Sequence, residues 1–155
     1  MTRTVGRTRR RRAFAFLLVA SFLVQGFAIA PSQAGDTLQN RAEMLQLTNE
    51  DREDRDRDPL SLNERLSRYA RRHSRDMADR EELFHTPDLA ARLRGLDWSI
   101  GAENVGMGPS LHALQDAFMA SRPHRKNILR AGFEHTAIGV VESDGTVWVT
   151  VIFYG

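Results

Sequence analysis

The longest stretch that is almost wholly apolar runs from Ala13 to Ala30, and beyond it the hydrophobic positions become periodic. Ala42, Leu45 and Leu47 stand among charges between Arg41 and Glu53, a spacing that predicts a modest amphipathic helix. Leu62, Leu66, Tyr69, Ala70, His73 and Met77 recur every three or four residues. Leu62 to Asp79 is therefore the best-defined helix, apolar side inward, arginines and acids outward. Ser61 or Asn63 is placed to cap it. A short helix is predicted after Pro87, capped by Thr86 or Asp88, running through Leu93 and stopped at Gly95. Pro109-Ser110 opens another, with Leu111, Leu114, Ala117 and Phe118 inward, and Pro123 closes it.

The period then falls to two. Thr136 to Val141 and Thr146 to Phe153 are β-branched and apolar, and they flank Asp144-Gly145, a strong hairpin signal. Val147, Val149, Val151 and Phe153 face one way; Trp148, Thr150, Ile152 and Tyr154 face the other. Both rows are apolar enough to predict a strand covered on two sides. Trp98 to Met107 is a further apolar strand whose interspersed glycines allow close backbone approach. Helices for both faces of a sheet give an α/β/α layering.

The N-terminus changes how the charge is read. Six arginines between Arg3 and Arg12 precede the apolar run, and Pro31-Ser32-Gln33-Ala34 follows it with small residues at the positions a signal peptidase reads. That pattern predicts an export signal over residues 1–34, cleaved after Ala34. A stretch of 18 residues would just span a bilayer, but Ser21, Gln25, Gly26 and the cleavage site argue against an anchor. Arg11-Arg12-Ala13-Phe14 faintly resembles a twin-arginine signal. The whole chain carries 22 basic and 20 acidic residues, net +2; without the six leader arginines 16 basic residues remain, net −4. The basic excess is thus a targeting device and makes no case for nucleic acid. Residues 35–42 are expected as a linker and 43–155 as one domain with one core. The expected location is secreted or periplasmic, with membrane contact only through the signal before cleavage. The sequence has no cysteine, which excludes disulfides, thiolate metal sites, a cysteine nucleophile and a lipoprotein anchor.

Several residues invite chemistry. Asp54, Asp56 and Asp58 have the spacing that opens a calcium loop, but Pro59 and Arg65 stand where glycine and glutamate are needed. A solvated helix end or loop is the expectation for that charge run. His73 lies on an apolar stripe and is expected to be a core histidine with one hydrogen-bond partner. His112 is expected to be exposed. The stronger set is a carboxylate among glycines, Gly101-Ala102-Glu103-Asn104-Val105-Gly106, with Phe84-His85 in a loop upstream and His124 just past Pro123. An acid and two imidazoles from separate elements are a candidate site.

Taken together, these residues resemble the CAP superfamily, or SCP domain: cysteine-rich secretory proteins, antigen 5 and plant pathogenesis-related proteins. The likeness is greatest to small cysteine-free bacterial members. It is carried in order by Leu47-Thr48-Asn49 with Arg52 and Pro59-Leu60, by Ala70 to Met77, by Phe84-His85, by Gly101 to Val105, by Phe118 to Leu129 and by Ile138-Gly139-Val140. The resemblance implies an α+β fold, a three-layer α-β-α sandwich with a central antiparallel sheet and a cleft holding two histidines and two glutamates. By position these are His85, Glu103 and His124; the second glutamate has no counterpart, its place falling near Ser121. Phe118 stands for the usual tryptophan, and Ser121-Arg122-Pro123-His124 for the usual Ser-Pro-Gly-His.

His85, Glu103 and His124 would hold a zinc-like divalent cation with water in an open position, supported by Asn104, Ser121 or Asn127. Catalytic residues are not assignable, because with Glu103 a ligand no base remains. Three readings stay open: a module binding a cation or small extracytoplasmic ligand, a metal-dependent hydrolase of peptide or cell-wall material, and a structural or interaction domain in which the cluster only pins loops. A lipid groove would need a contiguous apolar lining, for which Leu83, Phe84, Leu89 and Leu93 are the candidates; core burial is the competing role.

Overall fold

Asp144 and Gly145 both adopt positive φ, 50° and 72°, as a two-residue hairpin turn matched to strand twist requires. They join strands His135–Ser143 and Thr146–Tyr154, the centre of the molecule. The computed structural model describes Met1 and residues 33–155, with side chains from Leu38 onward. The expected signal peptide lies almost entirely outside the described residues.

In chain order the elements are α1 (Gln33–Glu53), β1 (Ser61–Leu62), α2 (Glu64–Arg80), α3 (Leu89–Leu93), β2 (Gly101–Gly108), α4 (Leu111–Ala120), α5 (Arg122–Ile128), β3 (His135–Ser143) and β4 (Thr146–Tyr154). The sheet order is β1-β3-β4-β2. β2 and β3 flank β4 antiparallel, and two-residue β1 pairs parallel with β3. β2 is therefore an edge strand. Among the described residues no helix is long and apolar enough to cross a membrane.

The two faces of β4 build two layers of core. Val147, Val149, Val151 and Phe153 pack with Met44, Leu111, Leu114, Phe118 and Ile128 from α1, α4 and α5. Ile152 and Tyr154 pack with Leu66 and Ala70 of α2 and Leu93 of α3, and Trp148 with Met77, Ala78 and partly buried Phe84. This is the three-layer α-β-α sandwich, four strands between helices on both faces. Leu93 and Phe84 belong to these separate clusters and do not line a common groove.

Asn63, Asp88 and Ser110 cap α2, α3 and α4, each accepting a backbone N–H from three residues on. Four features differ from the sequence reading. Residues 35–42 form early turns of α1 instead of a linker, since no proline or paired glycine interrupts Gln33 to Arg41. The fully buried stripe of α1 is Met44, Thr48 and Arg52, while Ala42 is exposed. Arg52 thus sits inside the charge run yet is only 1% exposed, so that run is not wholly solvated. Pro123 does not end helical structure; it occupies the first turn of α5, where its missing N–H costs nothing.

Candidate functional site

Successive side chains on a strand point to opposite faces, and on β2 this alternation divides the site in two. Glu103 lies on the α2 face and Asn104 on the α4–α5 face. Glu103 is 8% exposed, and a buried carboxylate needs full hydrogen bonding. It has it. His85 Nδ1 lies 2.8 Å from Oε2, the Thr86 backbone N–H donates to Oε2 at 2.9 Å, and the Thr86 hydroxyl donates to Oε1 at 2.6 Å. Tyr69 on α2 donates its hydroxyl to Thr86 Oγ1 at 3.1 Å. The acid therefore ties the loop after α2 to the sheet edge.

An ionised carboxylate only accepts, so Nδ1 of His85 carries the proton in this pair. In the neutral ring Nε2 then holds the free lone pair. The His85 side chain is 62% exposed while that of Glu103 is 4% exposed. The imidazole is thus fixed at its root and open at its tip.

On the other face, Asn104 donates to the backbone carbonyl of His124 at 3.2 Å. Asn127 donates to Asn104 Oδ1 at 2.9 Å and to the Glu103 carbonyl at 3.4 Å. These bonds dock α5 onto the open edge of β2. Arg125 donates to the Met119 carbonyl at 2.6 Å, closing the corner between α4 and α5. His124, in the first turn of α5, stacks edge-on against Phe118 with centroids 5.1 Å apart. Ser121 takes part through its backbone and makes no side-chain cap.

Burial lowers the pKa of His124, and the nearby charge of His85 lowers it further. Behind Glu103 lies a third imidazole. His73 is 4% exposed, with Nδ1 3.1 Å from Thr150 Oγ1. Burial lowers its pKa, as does the His85 charge, while Glu103, Asp76 and the His85 backbone pull it up. That backbone stands outside hydrogen-bond geometry, so His73 Nε2 has no partner among the described residues. His112 is exposed, its Nδ1 3.4 Å from Glu43.

Among the described residues no three histidine or acidic side chains stand close enough, as placed, to hold an ion together. The structure joins His85 to Glu103 directly and places His124 in the first turn of α5, whose docking on β2 runs through Asn104. Sequence reasoning did not anticipate Thr86 or Tyr69 as partners. Thr86 was considered only as a helix cap, and the Tyr69 hydroxyl was hidden by the apolar stripe to which its ring belongs.

Both lowered histidines affect stability with one sign. Their folded-state pKa lies below the unfolded value of about 6.5, so the unfolded chain takes up protons first. Their contribution is full above that pH and is lost progressively as pH falls toward the folded values. The thermal midpoint is expected to fall from pH 7.5 to pH 5, and His124→Gln to flatten part of that fall. An equal slope in the variant would contradict neutral burial of His124.

The chain belongs to the CAP family, the cysteine-rich secretory protein family, whose profile matches residues 45–153. Unlike the family name, it has no cysteine. It is 34% identical over 112 residues to YkwD of Bacillus subtilis strain 168, covering 68% of this chain and 43% of YkwD. Its fold is similar to an extracellular SCP-domain protein of Bacillus anthracis, with TM-score 0.67 and 25% identity over 76% of this chain and 41% of that one. A cysteine-rich secretory protein of Staphylococcus aureus superposes with TM-score 0.63 and 23% identity over 76% and 39% of the two chains. An outer surface protein of Borrelia burgdorferi shares the fold at TM-score 0.66 and 15% identity, over 75% and 92%. The chain thus spans under half the length of YkwD and of the first two structures.

Proposed function

We propose that this chain is an exported CAP domain that binds a zinc-like divalent cation at the edge of β2 through His85 and His124. Glu103 enters through His85, holding its ring in register. The observation that supports this is the Glu103–His85 pair: a buried carboxylate on Nδ1 with an exposed ring beyond it is how ligand histidines are commonly oriented. Both Glu103 oxygens already accept hydrogen bonds, which suits an orienting role. Low-pKa His124 stays neutral at neutral pH, the form that donates a lone pair. Asn104 fixes the backbone that presents it. An ion held there would offer remaining positions to water or a small ligand. Hydrolysis would need a base, and Ser121 stands where a second acid is missing, so binding is the better-supported role. Export rests on the basic, apolar and small-residue order of residues 3–34, and on the extracellular description of the Bacillus anthracis relative.

Titration calorimetry with zinc tests the proposal. His85→Ala and His124→Ala are each expected to weaken binding at least tenfold. Glu103→Gln should weaken it by about tenfold, the usual loss when an orienting partner is removed. Affinity should also drop on acidification as the imidazoles take up protons. Equal affinity in wild type and both histidine variants would remove the cation site.

A further inference from the structure

Helix α2 carries Arg65, Arg68, Arg71, Arg72, Arg75 and Arg80 against Glu64, Asp76 and Asp79, in a chain whose remainder after the leader is net acidic. Arg65, Arg68, Arg72 and Arg75 follow one outward line, and the pair Arg68 and Arg72 is spaced i,i+4, where like charges destabilise a helix. Glu64, Asp76 and Asp79, each four residues from one of these arginines, offset part of that repulsion through the helix surface. Glu64 is engaged by Arg41 at 2.7 Å, and among the described residues Arg65, Arg68, Arg72 and Arg75 make no ion pair.

The side of this line is hollow. A cavity of about 370 Å³ is lined by Tyr69, Arg71, Arg72, His73, Arg75 and the acids Asp76 and Asp79. A second hollow of about 130 Å³ adjoins it through Tyr69 and Arg72 and adds Arg65 and Arg92. A buried polar atom of the lining residues, Arg71 Nε, has no hydrogen-bond partner among the described residues. Native proteins rarely leave such an atom unpaired, and a bound ion or water is one standard reason.

We propose that the trough along α2 is a docking surface for a linear phosphate polymer that carries no bases. From Arg65 to Arg75 the helix rises about 15 Å, long enough for several repeating charges and too long for one small ion. Phosphate suits the trough because its oxygens lie in more than one plane, so neighbouring guanidinium forks share it. Nucleic acid suits it poorly. Tyr69 is the trough's sole large aromatic ring, and Arg92 covers it with its guanidinium carbon 4.5 Å from the ring centre, leaving a base little to stack on. Asp76 and Asp79 close the C-terminal end and set where the polymer stops.

Binding of long-chain inorganic polyphosphate, followed across a salt series, tests the assignment. Because the first twelve residues also carry six arginines, the readout is the difference between variants of the full chain. The double variant Arg72→Ala, Arg75→Ala removes two exposed side chains without internal partners, so its thermal midpoint should match wild type. It is expected to bind roughly tenfold more weakly, two charged hydrogen-bonding groups having been lost. Its slope of log affinity on log salt should fall by about 1.4, near 0.7 per lost charge on a single strand. Arg55→Ala, in the turn that follows α1, should leave both unchanged. Equal loss in Arg55→Ala, or none in the double variant, would overturn the assignment. So would single-stranded DNA or polyglutamate binding as tightly as polyphosphate with the same dependence on Arg72 and Arg75.

Discussion

Replacing Arg52 by alanine is expected to cost about 4 kcal/mol of stability, within the range for breaking a buried charged network. The side chain is 1% exposed and makes no ion pair among the described residues. Its charge is held by carbonyl dipoles: Nε donates to Asp58 O at 2.7 Å, Nη1 to Ile128 O at 2.6 Å and Arg130 O at 3.2 Å, and Nη2 to Phe133 O at 3.1 Å. Burial and the neighbouring Arg57 lower its pKa and Asp58 raises it, but a guanidinium keeps its proton. Ile128 ends α5, so the cation also sits at a negative helix end. Alanine would strand the Asp58, Ile128 and Phe133 carbonyls, Arg130 O keeping the Phe133 N–H, and open a large cavity at once. For a domain near 120 residues the thermal midpoint should fall by roughly 15 °C. Arg52→Lys keeps the charge but loses the planar fork, and should recover less than half of the loss. A midpoint within 3 °C of wild type for the alanine variant would contradict this account. Because α5 carries His124, zinc affinity should fall in the alanine variant even under conditions where it remains folded.

Arg52 also marks the limit of what composition tells. It lies in Asn49 to Asp58, a run whose charges read as solvent-facing, and its burial follows only from its place below Met44 and Thr48 at intervals of four. Where a period is long the sequence is a good guide: α2, the β3–β4 hairpin and both faces of β4 follow from spacing alone. Short elements escape it. Two-residue β1 has no period to detect, and seven-residue α5 was hidden by Pro123, which marks a start as readily as a stop. The split of Glu103 and Asn104 between two faces was implicit in strand alternation. The bonds from Thr86 to Glu103 and from Tyr69 to Thr86 were not, because each joins residues 17 positions apart on different elements, through hydroxyls that local patterning does not aim. His85 and His124 were placed by family resemblance, and the carboxylate that holds the His85 ring became visible as its partner only with coordinates.

Gly139→Ala is expected to destabilise by about 3 kcal/mol, at the upper end for overpacking, because the obstruction is backbone. A Cβ there would lie 2.1 Å from Ala70 C, 2.2 Å from Arg71 N and 2.3 Å from Ala70 O. No rotamer relieves such contacts; α2 has to withdraw from β3. Withdrawal stretches Ser67 Oγ to the Ile138 N–H at 3.1 Å, Ser74 Oγ to Gly139 O at 3.0 Å and the His73–Thr150 contact at 3.1 Å. The same helix carries Tyr69, whose hydroxyl steadies Thr86 and through it Glu103. Loss of stability should therefore come with weaker zinc binding, whereas a surface glycine change would move neither by much. Gly145→Ala is the comparison: its φ of +72° strains an L-residue but nothing stands within 4 Å of the new Cβ, so about 1 kcal/mol is expected. If urea denaturation shows Gly139→Ala to be no costlier than Gly145→Ala, α2 is not seated on β3 by direct backbone contact, and the alignment of Tyr69 and His73 behind Glu103 needs another cause.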